Sequence, residues 1–458
     1  MTFERGYMLK VKDEFEDDIE IQLELKDILA VYERGCKGGA TKKVGIEFER
    51  LPISTVDLKM VDYASENGVY DLLRTFAKLD NWEYITDDYN IVGLAKGGDR
   101  ITLEPGCQLE LSLKPEENIA DIKTKIDNFN KKINPILRKY DINLLEYGIS
   151  PVSTYKNIKM IPKKRYHIMA DYLWGILSDV MMRETAGIQA CYDFASEEDA
   201  MRKFRVANKL SPFMTAMFAN SPIRGGVDTG YKTFRGLSWL NTDTERCGFI
   251  SKKLFDAKSD YCFKDYVKDV MKTPMIFIVR DENPVQILGK INFEEFMQSG
   301  FEGYKATLDD FQLHSNLCFP EVRLRDFIEI RNHDCANHGM QYAILAIYKG
   351  LLYNNDALSQ VEALMSDFTY NDIMELRYSV PKNALDTKIK KTGAKDIAVE
   401  ILKIAQNSLR ENGKDEHKFL EPILDLTPYG LSPADVILSH WNGGWNKDVN
   451  KLVKYLSN

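Results

Sequence analysis

Alternation of apolar and polar residues predicts strands at three places in the chain. Residues 44–51 (VGIEFERL) alternate, and residues 186–194 (AGIQACYDF) form a second short, largely apolar segment. Residues 81–113 hold several alternating segments, with turn residues at Asp87-Asp88 and at Gly97-Gly98. Period-two segments separated by such turns are typical of hairpins. We therefore expect an antiparallel meander over 81–113 and further strands at the other two places.

Helical periodicity accounts for most of the remaining chain. Apolar residues recur at helical spacing in residues 14–34, 56–79, 116–140, 163–185 and 196–220. The last of these begins with the capping pattern SEED at residues 196–199. After about residue 336 the pattern is almost entirely helical. Helices alternating with antiparallel strands predict an α+β fold, with helices on one face of the sheet and the other face open.

Acidic residues share one face of three strand segments, opposite an apolar face. The segments are GIEFE (45–49), ITLEPGCQLELS (101–112) and FIEIR (327–331). Side chains in a strand alternate between faces, so residues two apart lie together. Whether Glu104 shares a face with Gln108 and Glu110 depends on the Pro-Gly turn at 105–106. The oxygen-bearing residues of these segments are Glu47, Glu49, Glu104, Gln108, Glu110 and Glu329.

Clustered carboxylates repel one another unless cations lie between them, and Mg²⁺ prefers oxygen ligands of this kind. A single Glu-x-Glu pair usually marks a solvated strand face. Three such segments inside apolar sequence favour a metal site that also binds phosphate. Arginine forks suit phosphate and carboxylate groups, and the candidates are Arg183, Arg235, Arg246 and Arg331.

Composition and charge exclude several other classes of function. The formal net charge is −8, without a basic tract, so nucleic acid and anionic membrane are poor partners. The chain starts with charged residues and lacks a signal-peptide pattern. Seven scattered cysteines indicate reduced thiols, so we expect a cytoplasmic protein. P-loop, Rossmann, HExxH and GxSxG motifs are absent, and six dispersed histidines make zinc improbable.

Several motifs together carry a resemblance to a known family. They include KKVGIEFE (42–49), ITLEPGCQLELS (101–112), PKKRYHIMADYL (162–173), FRGLSWLNTDTERCG (234–248) and FPEVRLRDFIEIRNHD (319–334). With them the chain resembles glutamate–cysteine ligases (γ-glutamylcysteine synthetases) of the plant and proteobacterial type over nearly its whole length. The resemblance implies the glutamine synthetase-like fold, in which a curved antiparallel sheet forms a funnel backed by helices. Residues 1–335 would be the catalytic region, and residues 336–458 a helical region packed on the same structural domain.

The resemblance also implies the reaction. ATP would phosphorylate the γ-carboxylate of glutamate, and the amine of cysteine would displace the phosphate. Two or more Mg²⁺ ions, with Mn²⁺ as an alternative, would neutralise the phosphates. One chain would carry a complete site, so we expect a monomer or a weak dimer whose partners are small molecules, without nucleic acid or membrane.

Roles for individual residues follow from the matched motifs. The resemblance assigns catalysis to Arg183, Arg235 and Arg331, and substrate binding to Arg183, Arg235, Trp239 and Arg246. It assigns the metal ions to Glu47, Glu49, Glu104, Glu110, Glu329, Gln189 and Gln108.

Several positions depart from the pattern of the family, and three of them are candidates for the acceptor pocket. Cys191 stands where relatives carry Asn, Asn241 where they carry Asp, and His333 lies in the altered segment after EIR. We expect these residues near the acceptor amine. Two interpretations stay open: cysteine is the acceptor, or a ligase of the same chemistry uses another amine. A binding protein that has lost catalysis is a third, which the retained acidic residues disfavour.

Overall fold

The structure, a computed structural model, describes residues 22–39, 42–256 and 259–457. Its strands, numbered along the chain, are β1 (Val44–Ser54), β2 (Glu83–Asp87), β3 (Asn90–Lys96), β4 (Asp99–Leu103), β5 (Leu109–Glu116), β6 (Ile142–Leu145), β7 (Gly187–Tyr192), β8 (Ile223–Arg224), β9 (Val227–Asp228), β10 (Cys247–Gly248), β11 (Phe277–Arg280), β12 (Asn283–Gln286), β13 (Phe319–Pro320), β14 (Val322–Leu324), β15 (Ile328–Asp334), β16 (Lys388–Ile389) and β17 (Thr392–Gly393).

The α-helices are numbered in the same way. They are α1 (Leu25–Glu33), α2 (Val69–Asp80), α3 (Ile119–Lys139), α4 (Lys164–Tyr172), α5 (Ser178–Glu184), α6 (Glu197–Met217), α7 (Phe234–Leu240), α8 (Phe263–Met271), α9 (Phe293–Ser299), α10 (Leu308–Asn316), α11 (Met340–Leu352), α12 (Asn355–Leu364), α13 (Tyr370–Asn383), α14 (Ala394–Glu411), α15 (Glu421–Leu424), α16 (Pro433–Asn442) and α17 (Val449–Leu456).

One large antiparallel sheet organises the molecule. Its strand order is β14-β15-β7-β1-β5-β4-β3-β2, and β6 also pairs with β1. The predicted meander forms β2 to β5, and its first two turns are tight. Asp87 pairs with Asn90, and Lys96 pairs with Asp99, so each turn contains two residues. Strand β1 lies in the middle of the sheet, although it comes first along the chain.

Helices cover the apolar face of this sheet. Ile46 and Phe48 of β1 are buried on that face, alternating with Glu47 and Glu49. Helix α3 presents a stripe of isoleucines and one phenylalanine at helical spacing, and it packs against β5 and β6. Helix α11 packs against β1 and β7. The prediction of an α+β fold with a helix-backed antiparallel sheet is confirmed.

The predicted helices 56–79 and 163–185 need correction. Residues 56–68 are irregular, and only α2 forms within the predicted helix 56–79. Leu58 and Asn67 adopt φ values of 61° and 55°, which an α-helix excludes. Of the predicted helix 14–34, residues 25–33 form α1 and residues 22–24 are not helical, while residues 14–21 lie outside the described residues.

The predicted helix 163–185 is interrupted between α4 and α5. A Cβ atom on Gly175 would lie 1.8 Å from the carbonyl oxygen of Thr242. The backbone of Leu177 donates to the carbonyl of Asn241 over 3.1 Å. These contacts hold residues 173–177 against the end of α7, so the helical hydrogen bonds stop there.

The C-terminal helices pack on the same unit as the sheet. Helix α11 contacts α3, β1 and β7, and α14 contacts α6 and α11. This packing agrees with one structural domain, while the division at residues 335 and 336 stays a prediction.

Candidate active site

The register of β1 brings its two glutamates opposite polar residues of both neighbouring strands. Glu47 pairs with Gln189 of β7, and Glu49 pairs with Glu110 of β5. Directly opposed residues in antiparallel strands point to the same face of a sheet. These four side chains therefore lie together on the face that the packing helices do not cover.

The same face continues into the outer strands. Cys191 of β7 pairs with Glu329 of β15, and Glu110 pairs with Thr102 of β4. The turn at residues 104–107 keeps the parity, because Glu104 and Gln108 are joined by a backbone hydrogen bond of 2.9 Å. We call the resulting set the carboxylate row, which consists of Glu104, Glu110, Glu49, Glu47, Gln189 and Glu329.

Burial and mutual repulsion hold the central carboxylates at high pKa values. Burial, followed by Glu104, raises the pKa of Glu49 to about 8. Burial, followed by Glu110 and Glu329, raises the pKa of Glu47 well above its ordinary value. The pKa of Glu110 is raised by burial and by Glu104. A cation that binds within the row would therefore stabilise these carboxylates in their charged form.

Glu329 differs from the other carboxylates because arginines already surround it. The guanidinium of Arg323 forms a fork on it, with hydrogen bonds of 2.8 and 2.9 Å, and Arg331 contacts it as well. Burial alone would raise the pKa of Glu329, but Arg323 and Arg331 outweigh burial and lower it to about 2. Arg331 also donates to Gln189, which in turn donates to Glu49 over 3.1 Å.

A small cavity opens beside the Glu329 end of the row. Its lining includes Arg235, Trp239, Arg331 and Asn332. Arg235 donates from Nη2 to the carbonyl of Arg331 over 3.1 Å and lies close above Gly187. Within the described residues, Nε of Arg235 and Nε1 of Trp239 are buried without hydrogen-bond partners. The cavity thus offers cationic and donor groups to a small anionic ligand.

Three predicted site residues bond within the protein, and their assignment to the site stays a prediction that these contacts do not support. Gln108 accepts from the backbone of Gly106 and donates to the carbonyls of Met182 and Thr185. The side chain of Arg246 is fully buried, and all three of its nitrogens bond within the protein. Arg183 pairs with Asp179 and donates to the carbonyls of residues 155 and 158.

Of the three residues that depart from the family pattern, only Cys191 lies on the open face. His333 is buried between Phe218 and Tyr348, and burial lowers its pKa to about 3. Asn241 caps the end of α7, and its side chain bonds to the carbonyl of Leu237. The expectation that His333 and Asn241 form an acceptor pocket stays a prediction, and these contacts speak against it, because the two side chains serve the core and a helix end.

Four neighbours of the row were not predicted. Arg323 lies in EVRL, where a basic residue inside an apolar strand was the available signal. Lys163, Arg165 and Tyr166 lie beside the Glu104 end. Three consecutive basic residues before an aromatic one, in KKRY, were the available signal.

The carboxylate row offers oxygen ligands of the kind that Mg²⁺ prefers. Among the described residues, no three His, Cys, Asp or Glu side chains already form a compact ligand set. The raised pKa values of Glu47, Glu49 and Glu110 nevertheless fit a divalent cation, because they record buried charge without compensation. Glu329 fits less well, since two arginines occupy its oxygens.

The comparison with solved structures concerns the fold. A crystal structure of glutamate–cysteine ligase from Francisella tularensis in complex with AMP aligns with a TM-score of 0.56. The alignment covers 91% of this chain and 88% of that chain at 14% identity, so it supports the shared fold. In the described part of the chain, no helix combines the length and apolarity that crossing a membrane requires.

Curated relatives give the family. Glutamate–cysteine ligase B of Oryza sativa subsp. japonica is 31% identical over 94% of this chain and 86% of its own length. The enzyme of Arabidopsis thaliana is 30% identical, covering 94% of this chain and 82% of its own. Both are named as chloroplastic, which contradicts the prediction of a cytoplasmic location. The family model for glutamate-cysteine ligase family 2 matches residues 43–454, and the chain therefore belongs to that family, as its motifs predicted.

Proposed function

We propose that the chain joins the γ-carboxylate of L-glutamate to the amine of L-cysteine at the expense of ATP. The observation that carries the proposal is the carboxylate row with Arg331 and Arg235 at one end. Phosphoryl transfer between anions needs cationic groups and cation-binding carboxylates in one place. The names of the relatives and the AMP in the Francisella enzyme support the same chemistry.

We assign the binding of Mg²⁺ to Glu47, Glu49 and Glu110, with Glu104 at the end of the row. Bound divalent cations would neutralise the ATP phosphates and stabilise the charge that develops during transfer. Thr102 and Ser112 donate to Glu110 over 2.7 and 3.0 Å and orient its carboxylate. Mn²⁺ has similar ligand preferences and is the alternative ion.

Arg331 and Arg235 act on the anionic substrates. In the first step a γ-carboxylate oxygen of glutamate attacks the γ-phosphorus of ATP, and the bond to the ADP oxygen breaks. Arg331, held by Glu329 and Gln189, supports the transferred phosphoryl group. Arg235 and Trp239 line the cavity beside it and suit the glutamate carboxylates.

In the second step the neutral amine of cysteine attacks the acyl carbon, and inorganic phosphate leaves. The amine loses a proton to a neighbouring carboxylate or to the phosphate. Cys191 is the altered residue that faces the row. Because His333 and Asn241 lie elsewhere, the argument for a different acceptor rests on Cys191 alone, and cysteine is the acceptor that we propose.

The test is a comparison of amines at fixed glutamate and ATP. ADP release and the mass of the γ-glutamyl product are measured with cysteine and with homocysteine, serine, glycine and alanine, and controls omit glutamate. Cysteine should give the highest kcat/KM. An amine that exceeds cysteine more than about tenfold, which is roughly 1.4 kcal/mol in transition-state binding, would replace it. Full activity with another donor would contradict the role of glutamate.

A further inference from the structure

Two cations approach the carboxylate row at the end opposite to Arg331. The ammonium of Lys163 lies 4.7 Å from the ring centroid of Tyr166, and the guanidinium carbon of Arg165 lies 4.9 Å from it. Both also reach the Tyr166 hydroxyl, at 3.4 and 3.2 Å. The Tyr166 phenol therefore holds the positively charged groups of Lys163 and Arg165 next to each other.

Tyr166 fixes this pair to the sheet. Its buried hydroxyl donates to the carbonyl of Leu103 over 3.1 Å and lies 3.4 Å from the carboxylate of Glu104. Leu103 is the last residue of β4, directly before the turn that carries Glu104. Lys163 and Arg165 are thus held beside the first carboxylate of the row.

Neither cation is neutralised by a contacting carboxylate. Within the described ranges, Lys163 and Arg165 form no ion pair, whereas the adjacent Lys164 pairs with Asp88 at 3.0 Å. Burial, followed by the charge of Arg165, lowers the pKa of Lys163 to about 8. Two like charges held together in this way favour an anionic ligand.

The position of the pair separates it from the arginines at the other end. Four strand spacings lie between β15 and β4, which is about 19 Å across the sheet. One small anion cannot contact both ends. The row therefore has two cationic ends, and the proposed reaction has two anionic substrates, ATP and glutamate.

We propose that Lys163 and Arg165 bind the α- and β-phosphates of the nucleoside triphosphate, whose γ-phosphate extends along the row toward Arg331, with Tyr166 as the residue that positions them. This inference rests on the proposed function and adds the nucleotide end of its site. Arg165 is exposed, so this end can receive a large ligand. The small cavity at Arg235 and Trp239 suits the smaller amino acid. An arginine fork and a lysine together are typical phosphate-binding groups.

Steady-state kinetics on three single variants test the proposal. Lys163→Met and Arg165→Met should each raise the KM for ATP by about tenfold or more, as expected for loss of a charged contact. The KM for glutamate should stay within about twofold. Lys164→Met is the matched control, because its partner Asp88 lies outside the row, and it should leave both constants unchanged.

Direct binding separates this inference from the proposed function. Calorimetric titration with a non-hydrolysable ATP analogue and Mg²⁺ should show the same loss of affinity in Lys163→Met and Arg165→Met. Tyr166→Phe keeps the ring and loses the hydroxyl, so it should weaken nucleotide binding less than either methionine variant.

Two kinetic results would overturn the role of Lys163 and Arg165 in nucleotide binding. A rise in the glutamate KM with unchanged ATP KM would assign these cations to glutamate, and unchanged constants in Arg165→Met would remove the nucleotide role. Because Arg165 is exposed, its variant should fold even if Lys163→Met does not. A wild-type chain that binds the analogue through these residues but makes no γ-glutamyl product would refute only the proposed function.

Discussion

Identical side chains behave differently along the carboxylate row. Glu49 and Glu329 are both buried glutamates on one face of one sheet, yet their pKa values are about 8 and about 2. The neighbours account for the difference, since Glu49 faces other carboxylates and Glu329 lies between Arg323 and Arg331. Glu49 is therefore available to a cation, whereas Glu329 already acts as an anchor for two arginines.

Replacing one carboxylate of the row should abolish most of the turnover. Glu49→Gln removes a charge at nearly constant shape, so ligase activity should fall by about two to three orders of magnitude or more, the scale of losing one charge-stabilising group. Initial rates at saturating ATP, glutamate and cysteine measure the loss. Glu83→Gln, on the exposed part of β2, is the control and should retain full activity. Near-normal turnover in Glu49→Gln would remove Glu49 from the metal site.

Loss of Arg323 should destabilise the fold. Arg323→Met leaves the buried Glu329 with weaker compensation, and breaking one side of a buried pair costs about 3 kcal/mol. Urea unfolding at pH 7 measures it. Arg325→Met is the control, because Arg325 is 3.8 Å from Glu329 and partly exposed, and it should cost well under 1 kcal/mol.

The ion pair of Arg323 and Glu329 predicts that the stability of the fold depends on pH. The folded pKa of Glu329 is depressed to about 2 from an ordinary value of about 4.3. Its stabilisation is therefore present above about pH 4.3 and is lost as the pH falls toward 2. The wild type should lose more stability than Arg323→Met over this window. Equal losses in the two proteins would contradict the ion-pair origin of the low pKa.

At the scale of elements, patterning predicted strands more accurately than helix ends. The meander and β1 follow from alternation and turn residues, which are local properties. The interruption between α4 and α5 comes from the close approach of Gly175 to Thr242. A partner far away in sequence therefore ended a helix that periodicity predicted to continue.

A side chain at Gly175 should force this contact apart. In Gly175→Ala the new Cβ would lie 1.8 Å from the carbonyl oxygen of Thr242. Overpacking of this kind costs about 1–3 kcal/mol, measured by urea unfolding. Gly444→Ala, where no atom lies within 4 Å of the new Cβ, is the matched control and should be near neutral. Equal stability in both variants would contradict the role of Gly175 in ending α4.

At the scale of the whole molecule, one chain carries the entire row. The strands that supply it come from residues 44 to 334, and the helices after residue 340 pack behind them. Both substrate ends of the proposed site thus belong to the same chain.

We therefore expect a monomer to be fully active. Specific activity should stay constant on dilution through any monomer–dimer transition, with the mass followed by light scattering on a sizing column. Activity that falls in proportion to dimer dissociation would show that a second chain completes the site. A mixture of two inactive variants, Glu49→Gln and Arg331→Met, is the control and should remain inactive.

Local patterning and motifs were sufficient for the fold class, the family and the acidic strand faces. Alternation fixes which residues share a face, so Glu47 with Glu49 and Glu329 with Arg331 were predictable without a partner strand. The motifs extend over most of the chain, and that extent made the family recognisable.

Which of the predicted residues face the row depends on how the chain folds. Gln108, Arg183, Arg246, His333 and Asn241 carry suitable chemistry, but their hydrogen bonds or their packing commit them elsewhere. Lys163 and Arg165 join the row because Tyr166 bonds to the end of β4. Which polar groups meet depends on contacts between residues distant in sequence, and periodicity in one segment carries no information about such partners.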